Sequence, residues 1–339
     1  MRNARLFTKL VIAALIAALV VARGLSFFKR HYPRASDAGA ARHFSLGYIP
    51  GAQDFVLFVM ESRGLLRQYR LEPEKIRFLN PPNLHLMIAE RRVDIGFGGF
   101  TTMATARAEG KDVIVIHGVF SPVNVVFVRK NSPIHSLNDL KGKKLGDFGG
   151  PGSTTLAFLA VIASKLYGLD ITRDVQSVTA PGPALSNLLD KGEIDAALMG
   201  TTESIKFAAE GKYRVLIDLS EEYKKWQGLA PAHVTVATSE QFASQHAELL
   251  KDFLRACHDA VQYSKNNPEI WVRYGKTIGM NSEAETTLLR EKMIPNLVDR
   301  WDSEQIEIQR QYLTLVQSVL GKRYLGVIPE NLIRNDFNP

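Results

Sequence analysis

The chain is 339 residues long, 45% hydrophobic and 23% charged, which is ordinary for a globular protein and long enough for one large or two medium α/β domains. Its formal net charge is +7, but Arg2, Arg5 and Lys9 sit in the first nine residues and the other basic residues are scattered, which argues against a nucleic-acid surface. One cysteine, Cys257, excludes an intramolecular disulfide and a multi-cysteine metal site.

Taken in order, residues 1–22 join a basic start to an unbroken apolar run over 10–22, the pattern of an export signal. Lengthened through 24–28, the same run is a membrane anchor, so the segment is either cleaved or retained; no cysteine follows it to carry a lipid. Residues 23–42 form a basic tether suited to a membrane surface. A strand is expected over 43–50, closing on Pro50 and Gly51, then a helix over 55–64 stopped by Gly64, a strand at 76–79 and a helix over 83–90. Residues 118–128 are extended, with Pro122 inside, and read as a crossing between two lobes. The second lobe opens with a turn at 137–142 and a strand at 144–146. A Gly-rich stretch, 147–155, leads into an apolar helix over 156–167, a strand at 175–178 and a helix over 184–191. Residues 229–236, again extended around a proline, return the chain to the first lobe. Helices follow over 239–245, 246–267, 268–278, 283–292 and 303–320.

The chain repeats itself. Residues 93–116 align with 194–217 without a gap, placing Asp94 on Asp195, Gly99 on Gly200, Thr101 on Thr202 and Gly110 on Gly211. Each copy reads as a strand, a Gly/Thr break, a helix closed by glycine and another strand. A strand running into a Gly-Thr helix start leaves N–H groups at the carboxyl end of a sheet, where open α/β sheets bind ligands. Two copies imply two lobes, each giving one lip of a cleft. The expected division is 43–122 with 233–339 as lobe 1 and 123–232 as lobe 2.

Three features bear on chemistry. The stretch 149–155 has glycines for close backbone approach and three hydroxyls, but it lacks the Gly-Lys-Ser/Thr end of a phosphate loop and the spacing of a dinucleotide fingerprint. Glu203 stands three residues past Gly200 and suits a ligand amine, or simply the helix N-terminus. Eight histidines show no metal-ligand spacing and no nucleophile elbow is present, so neither cofactor nor metal is expected. Cys257 shares a helical face with Phe253 and Val261 and reads as a core thiol. Trp226, Trp271 and Trp301 read as packing residues.

These pieces resemble the periplasmic substrate-binding proteins of the nitrate, taurine and alkanesulfonate importers, a family that includes thiamine-pyrimidine-binding proteins. Gly47 with Tyr48, the stretches 61–66, 89–96, 132–134 and 136–146, Gly152-Ser153-Thr154, 167–170 and 188–197 carry the resemblance, which covers roughly 44–280. It implies an α/β, two-lobed type II periplasmic-binding-protein fold with two interlobe crossings, closing on a small solute by hinge motion and handing it to an ABC permease in the inner membrane. The implied partners are thus a small-molecule solute and that permease, with the protein a monomer in the periplasm or on the outer face of the cytoplasmic membrane. Carried onto this chain, the ligand-facing positions are Tyr48, Gln53, Phe100, Thr101, Thr102 and Asn124 from the first lobe and crossing. From the second come Ser153, Thr154, Thr155, Thr201 and Glu203, with His233 on the return crossing. Asp54 joins them if it faces inward. Relatives of this fold that are pyrimidine synthases or desulfinases use cysteine-containing sites in the first lobe, whereas this chain has no cysteine before Cys257. A membrane-tethered sensor is the third alternative, with no kinase, cyclase or methyl-accepting segment after the domain.

Overall fold

The computed structural model describes residues 40–338; the expected export segment and most of the tether lie outside the described residues. Among the described residues, ten strands form two five-stranded sheets of the same design. The first holds β1 (Arg42–Tyr48), β2 (Leu71–Arg77), β3 (Ile95–Gly99), β4 (Ile114–Phe120) and, from much later in the chain, β10 (Val234–Thr238). The second holds β5 (Val125–Arg129), β6 (Lys144–Asp147), β7 (Gln176–Thr179), β8 (Ala196–Met199) and β9 (Tyr213–Asp218). Their orders are β2-β1-β3-β10-β4 and β7-β6-β8-β5-β9. In each, three parallel strands are followed by one antiparallel strand that has crossed from the other sheet.

The internal repeat is therefore a repeat of topology: β3, the helix Phe100–Ala108 and β4 match β8, the helix Thr201–Glu210 and β9. Each copy's aspartate does the same work at the strand's foot. Asp94 accepts from the Ser45 N–H at 2.7 Å, and Asp195 from the Lys144 N–H at 2.9 Å, each tying its own strand to the neighbouring parallel one. Gly110 and Gly211 close the two helices in the left-handed region (φ 85° and 61°), a conformation that costs other L residues.

The crossings run through 121–124 and 229–233, where the two extended proline-containing segments were expected. The helices after β10 divide their allegiance. Ala247–Asn266 lies on the helix Phe55–Ser62 of the first lobe, burying Phe253, Cys257 and Val261, with the Cys257 thiol 3.8 Å from Met60 Sδ. Ser303–Leu320 lies on the second-lobe helix Thr154–Tyr167, where Tyr312 meets Phe158 edge-on at 5.8 Å between centroids. Trp271 stacks on Phe55 at 4.0 Å inside the first lobe's core.

Besides the short helices Leu65–Gln68 and Ile171–Asp174, two elements depart from the expectation. β2 begins at Leu71 rather than at 76, because it is an edge strand of mostly exposed residues, and only its parallel register with β1 makes it a strand. The helix Leu219–Gln227 was not expected. It is polar and buries only Leu219, Ser220 and Tyr223, but Asp218 caps it by accepting from the Ser220 and Glu221 N–H groups.

Candidate functional site

Between the carboxyl ends of the two sheets lies a cavity of about 670 Å³, walled by both lobes and floored by both crossings. The second-lobe wall begins at β6. Asp147, 1% exposed, accepts from the Gly150 N–H and from the Ser177 and Thr179 hydroxyls at 2.8 and 3.3 Å. That carboxylate folds 148–153 into a compact loop, with Gly150 and Gly152 left-handed (φ 73° and 88°), and presents Ser153 as cap to the helix Thr154–Tyr167. Ser153, Thr154 and Thr155 line the cavity as expected, although Ser153 Oγ is committed to the Leu156 N–H at 3.2 Å.

The second repeat lip faces the cavity directly. Thr201, Thr202 and Glu203 all line it, and two glycines make room for the carboxylate. A Cβ on Gly182 would stand 2.6 Å from Glu203 Cγ, and one on Gly200 would stand 3.0 Å from the Phe148 ring and 3.5 Å from Glu203 Oε2. Burial raises the Glu203 carboxyl above its ordinary value; its own N–H and the nearby Lys206 ammonium oppose this. Lys206 is itself tied across the lobes, donating to the Ile278 carbonyl at 2.9 Å.

The first lip does something else, and four expected ligand-facing positions need correction. Phe100 is fully buried in the core with Leu84, Ile88 and Met103, because the first residue of its helix turns inward. Thr101, 1% exposed, donates to Thr154 Oγ1 at 3.0 Å and lies 2.9 Å from the Tyr324 hydroxyl, so it joins the lobes beside the cavity and does not line it. Thr102 stands 3.5 Å from the same Thr154 oxygen and is also outside the lining. Tyr48 shares the β1 face of Phe44 and Leu46 and packs with them on the first lobe's own core, as the two-residue alternation of a strand dictates. Gly99 alone represents this lip in the wall. A Cβ there would come within 2.6 Å of Thr154 Oγ1.

Of the remaining expected residues, Gln53, Asn124 and His233 line the cavity. Asp54 does not. Its carboxyl meets the Tyr274 hydroxyl, which also reaches the Gly51 carbonyl. A hydroxyl has one proton to give, so both contacts are satisfied when Asp54 carries a proton of its own. Burial does raise that carboxyl, to about 6, against the lowering effect of Tyr274. The loop so fixed closes on the opposite lip, the Ala52 N–H donating to Thr202 Oγ1 at 3.1 Å.

Residues missed at the sequence level are His85, Phe148, Lys206 and the apolar corner 180–183. His85 accepts the Gly99 N–H at 2.9 Å; it is partly open, through the cavity, yet protein encloses it and burial lowers its pKa to about 4. His233 is lowered to about 4 by the same cause, although one ring nitrogen donates to the Thr154 carbonyl. Both imidazoles are therefore neutral at neutral pH. Among the described residues no group of three or more His, Cys, Asp or Glu side chains could hold a metal ion.

Comparison with known proteins places this architecture. The NMT1/THI5-like family matches residues 62–270, more than half of the chain. The chain belongs to the NMT1/THI5-like family. The taurine-binding periplasmic protein of Escherichia coli is 26% identical over 213 residues, 62% of each chain. A 4-amino-5-hydroxymethyl-2-methylpyrimidine phosphate synthase of Schizosaccharomyces pombe is 23% identical over 70% of this chain and 68% of its own. The chain thus spans about three fifths of the length of the taurine-binding relative. The solved alkanesulfonate-binding protein SsuA from Xanthomonas axonopodis pv. citri, bound to MOPS, superposes with a TM-score of 0.73 at 18% identity, over 88% of this chain and 100% of that one. The periplasmic aliphatic sulphonate binding protein SsuA from Escherichia coli gives 0.70 at 20% identity, over 86% and 92%. These likenesses show the two-lobed periplasmic-binding-protein fold, as the sequence resemblance implied.

Proposed function

We propose that this family member captures a small solute between its lobes and delivers it unchanged to an ABC permease, acting as a monomer on the outer side of the cytoplasmic membrane. One observation carries the reading: a cavity of about 670 Å³ is shared by two like-built lobes that two crossings join. Direct bonds between the lobes include Ala52 to Thr202, Thr101 to Thr154 and Lys206 to Ile278, and the C-terminal segment adds Lys292 to Asp218, Ser220 and Lys224 to Asn296, and Tyr324 to Gly152. Each is worth about 1 kcal/mol net, and a ligand touching both lobes favours the closed form by its differential affinity for that form. The taurine-binding relative and the sulfonate-binding structures support the same reading. The N-terminal apolar run supports export or anchoring.

The pyrimidine synthases among the relatives supply the rival reading, turnover in the same cavity. Calorimetric titration of the full chain with taurine, ethanesulfonate, nitrate, benzamidine and 4-aminopyrimidine, followed by mass spectrometry of the recovered solute, separates the two. Saturable binding with the solute returned unchanged is expected. Conversion of a bound solute, or no binding by any of the five, overturns the proposal. A solute at 100 times its dissociation constant should also add about 2.7 kcal/mol to stability.

A further inference from the structure

Both crossings place a buried, unpaired acceptor in the cavity wall. Asn124, 4% exposed, donates its Nδ2 to the Met199 carbonyl at 3.2 Å, which leaves Oδ1 with no partner. His233, 7% exposed, has the Thr154 carbonyl beside its ring, which favours the ring proton on that side, and its Nε2, without a partner, is then an acceptor. Leaving such a group buried and unmet costs about 1–3 kcal/mol. Such groups are few in native structures; among the described residues the other four, on Arg290, Gln309, Tyr312 and Asn338, lie away from the cavity.

Three donors along the same wall already have partners. The Gly99 N–H goes to His85 Nε2, the Ala52 N–H to Thr202 Oγ1, and the cavity's ammonium, Lys206, to the Ile278 carbonyl. Thr154 Oγ1 accepts from Thr101 and keeps its own proton. Against them stands a third acceptor, the Glu203 carboxylate. The bare α-carbons of Gly182 and Gly200 give it room, and the Phe148 ring lies beside it. The two lining side-chain atoms that are buried without any partner are thus both acceptors, and the carboxylate is a third. An anion such as a sulfonate, which brings only acceptors at its head, would set its oxygens against all three.

We infer that the cavity selects a small organic cation offering at least two N–H donors, with Glu203 as counter-charge and Asn124 Oδ1 and His233 Nε2 as the acceptors that fix its orientation. The inference rests on the capture reading and names the class of solute captured. Phe148 and Pro181 supply a flat apolar wall for the body of such a molecule, and a planar cation over an aromatic face gains a further contribution.

Benzamidine and benzenesulfonate, near-isosteric probes of opposite hydrogen-bonding character, test this by isothermal titration of the full chain. Benzamidine should bind saturably and at least about tenfold more tightly than benzenesulfonate, since a hydrogen bond to a charged group is worth about 1.5–3 kcal/mol. Glu203→Gln, which keeps the shape and loses the charge, should weaken benzamidine about tenfold or more and leave benzenesulfonate unchanged or improved. Asn124→Leu should weaken benzamidine as well; circular dichroism and melting temperature report whether each variant is folded. Benzenesulfonate binding as tightly as benzamidine, no benzamidine binding at millimolar concentration, or an unaltered benzamidine affinity in folded Glu203→Gln each overturns the inference. Binding of taurine or ethanesulfonate without benzamidine removes the cation and leaves solute capture standing; binding of none removes both.

Discussion

The two lips, 99–102 and 200–203, occupy the same place in two sheets of the same order and differ in almost every contact their side chains make. The second presents Thr201, Thr202 and Glu203 to the cavity. The first buries Phe100, spends Thr101 on Thr154 and Tyr324, and shows the cavity little but the backbone of Gly99. Equivalent backbone positions thus do not make equivalent side-chain roles; what the opposing lobe and the C-terminal segment bring up to each lip decides. Tyr324, whose hydroxyl lies 2.9 Å from Thr101 Oγ1 and donates to the Gly152 carbonyl at 3.1 Å, has no counterpart at the second lip in either respect. The first lip is a clasp, and the second is a contact surface with one clasp bond of its own, at Thr202.

The largest expected effect comes from filling the clasp. Gly99→Val puts a branched side chain against the buried Thr154 Oγ1, 2.6 Å from the added Cβ, and should cost about 2–3 kcal/mol in urea unfolding. Gly200→Val meets the cavity-facing Phe148 ring and Glu203, which can move into open space, and should cost clearly less while abolishing solute binding. Equal destabilisation by the two would erase the distinction between the lips.

Next in size is the loop that presses on the second lip. Burial holds the Asp54 carboxyl at about 6 against an ordinary 3.8, so over that interval the folded state keeps a proton that the unfolded chain releases. The contribution of this group to stability is therefore greatest below about pH 4 and falls as the pH rises through about 6. Relative to wild type, Asp54→Asn should gain about 3 kcal/mol in stability between those pH values. A difference that does not change with pH would show that Asp54 ionises in place without penalty.

Thr101→Val removes the bond to Thr154 and the neighbouring Tyr324 contact and should lower stability by about 1 kcal/mol, whereas Thr102→Val, with only a 3.5 Å approach, should be near neutral. Thermal melts of the pair check the contrast. The smallest effect has the opposite sign. Glu203→Gln relieves a carboxylate that burial disfavours, so the ligand-free protein should melt at the same temperature or slightly higher near neutral pH, even as its binding of cations falls.

Much of this architecture is legible in the chain. Left-handed glycines at 64, 168, 192 and 211 stop helices where they were expected, and the aspartates and glycines of the repeat mark two strands and two helices in register. The crossings show as extended, proline-containing segments. β2 was misplaced because Ile76, Phe78 and Leu79 are its most apolar neighbourhood, while Leu79 is in fact 85% exposed at the cavity wall. Glu203, Asn124 and His233 could be found because a lip or a crossing lies at a readable place in the chain. His85, Phe148 and Lys206 could not, since each reaches the cavity through tertiary packing that leaves no periodic mark. Thr101 was misjudged for the complementary reason: the residue that claims it, Tyr324, lies in a coil far along the chain.

Hydrogen-exchange mass spectrometry of the full chain, with and without a saturating solute from the titration panel, tests the central claim most directly. Capture between lobes predicts that protection rises together in 49–54, 148–155, 200–206 and 229–234, from both lobes and the return crossing, while the solute is recovered unchanged. Protection confined to one lobe, or recovery of a converted solute, would contradict it.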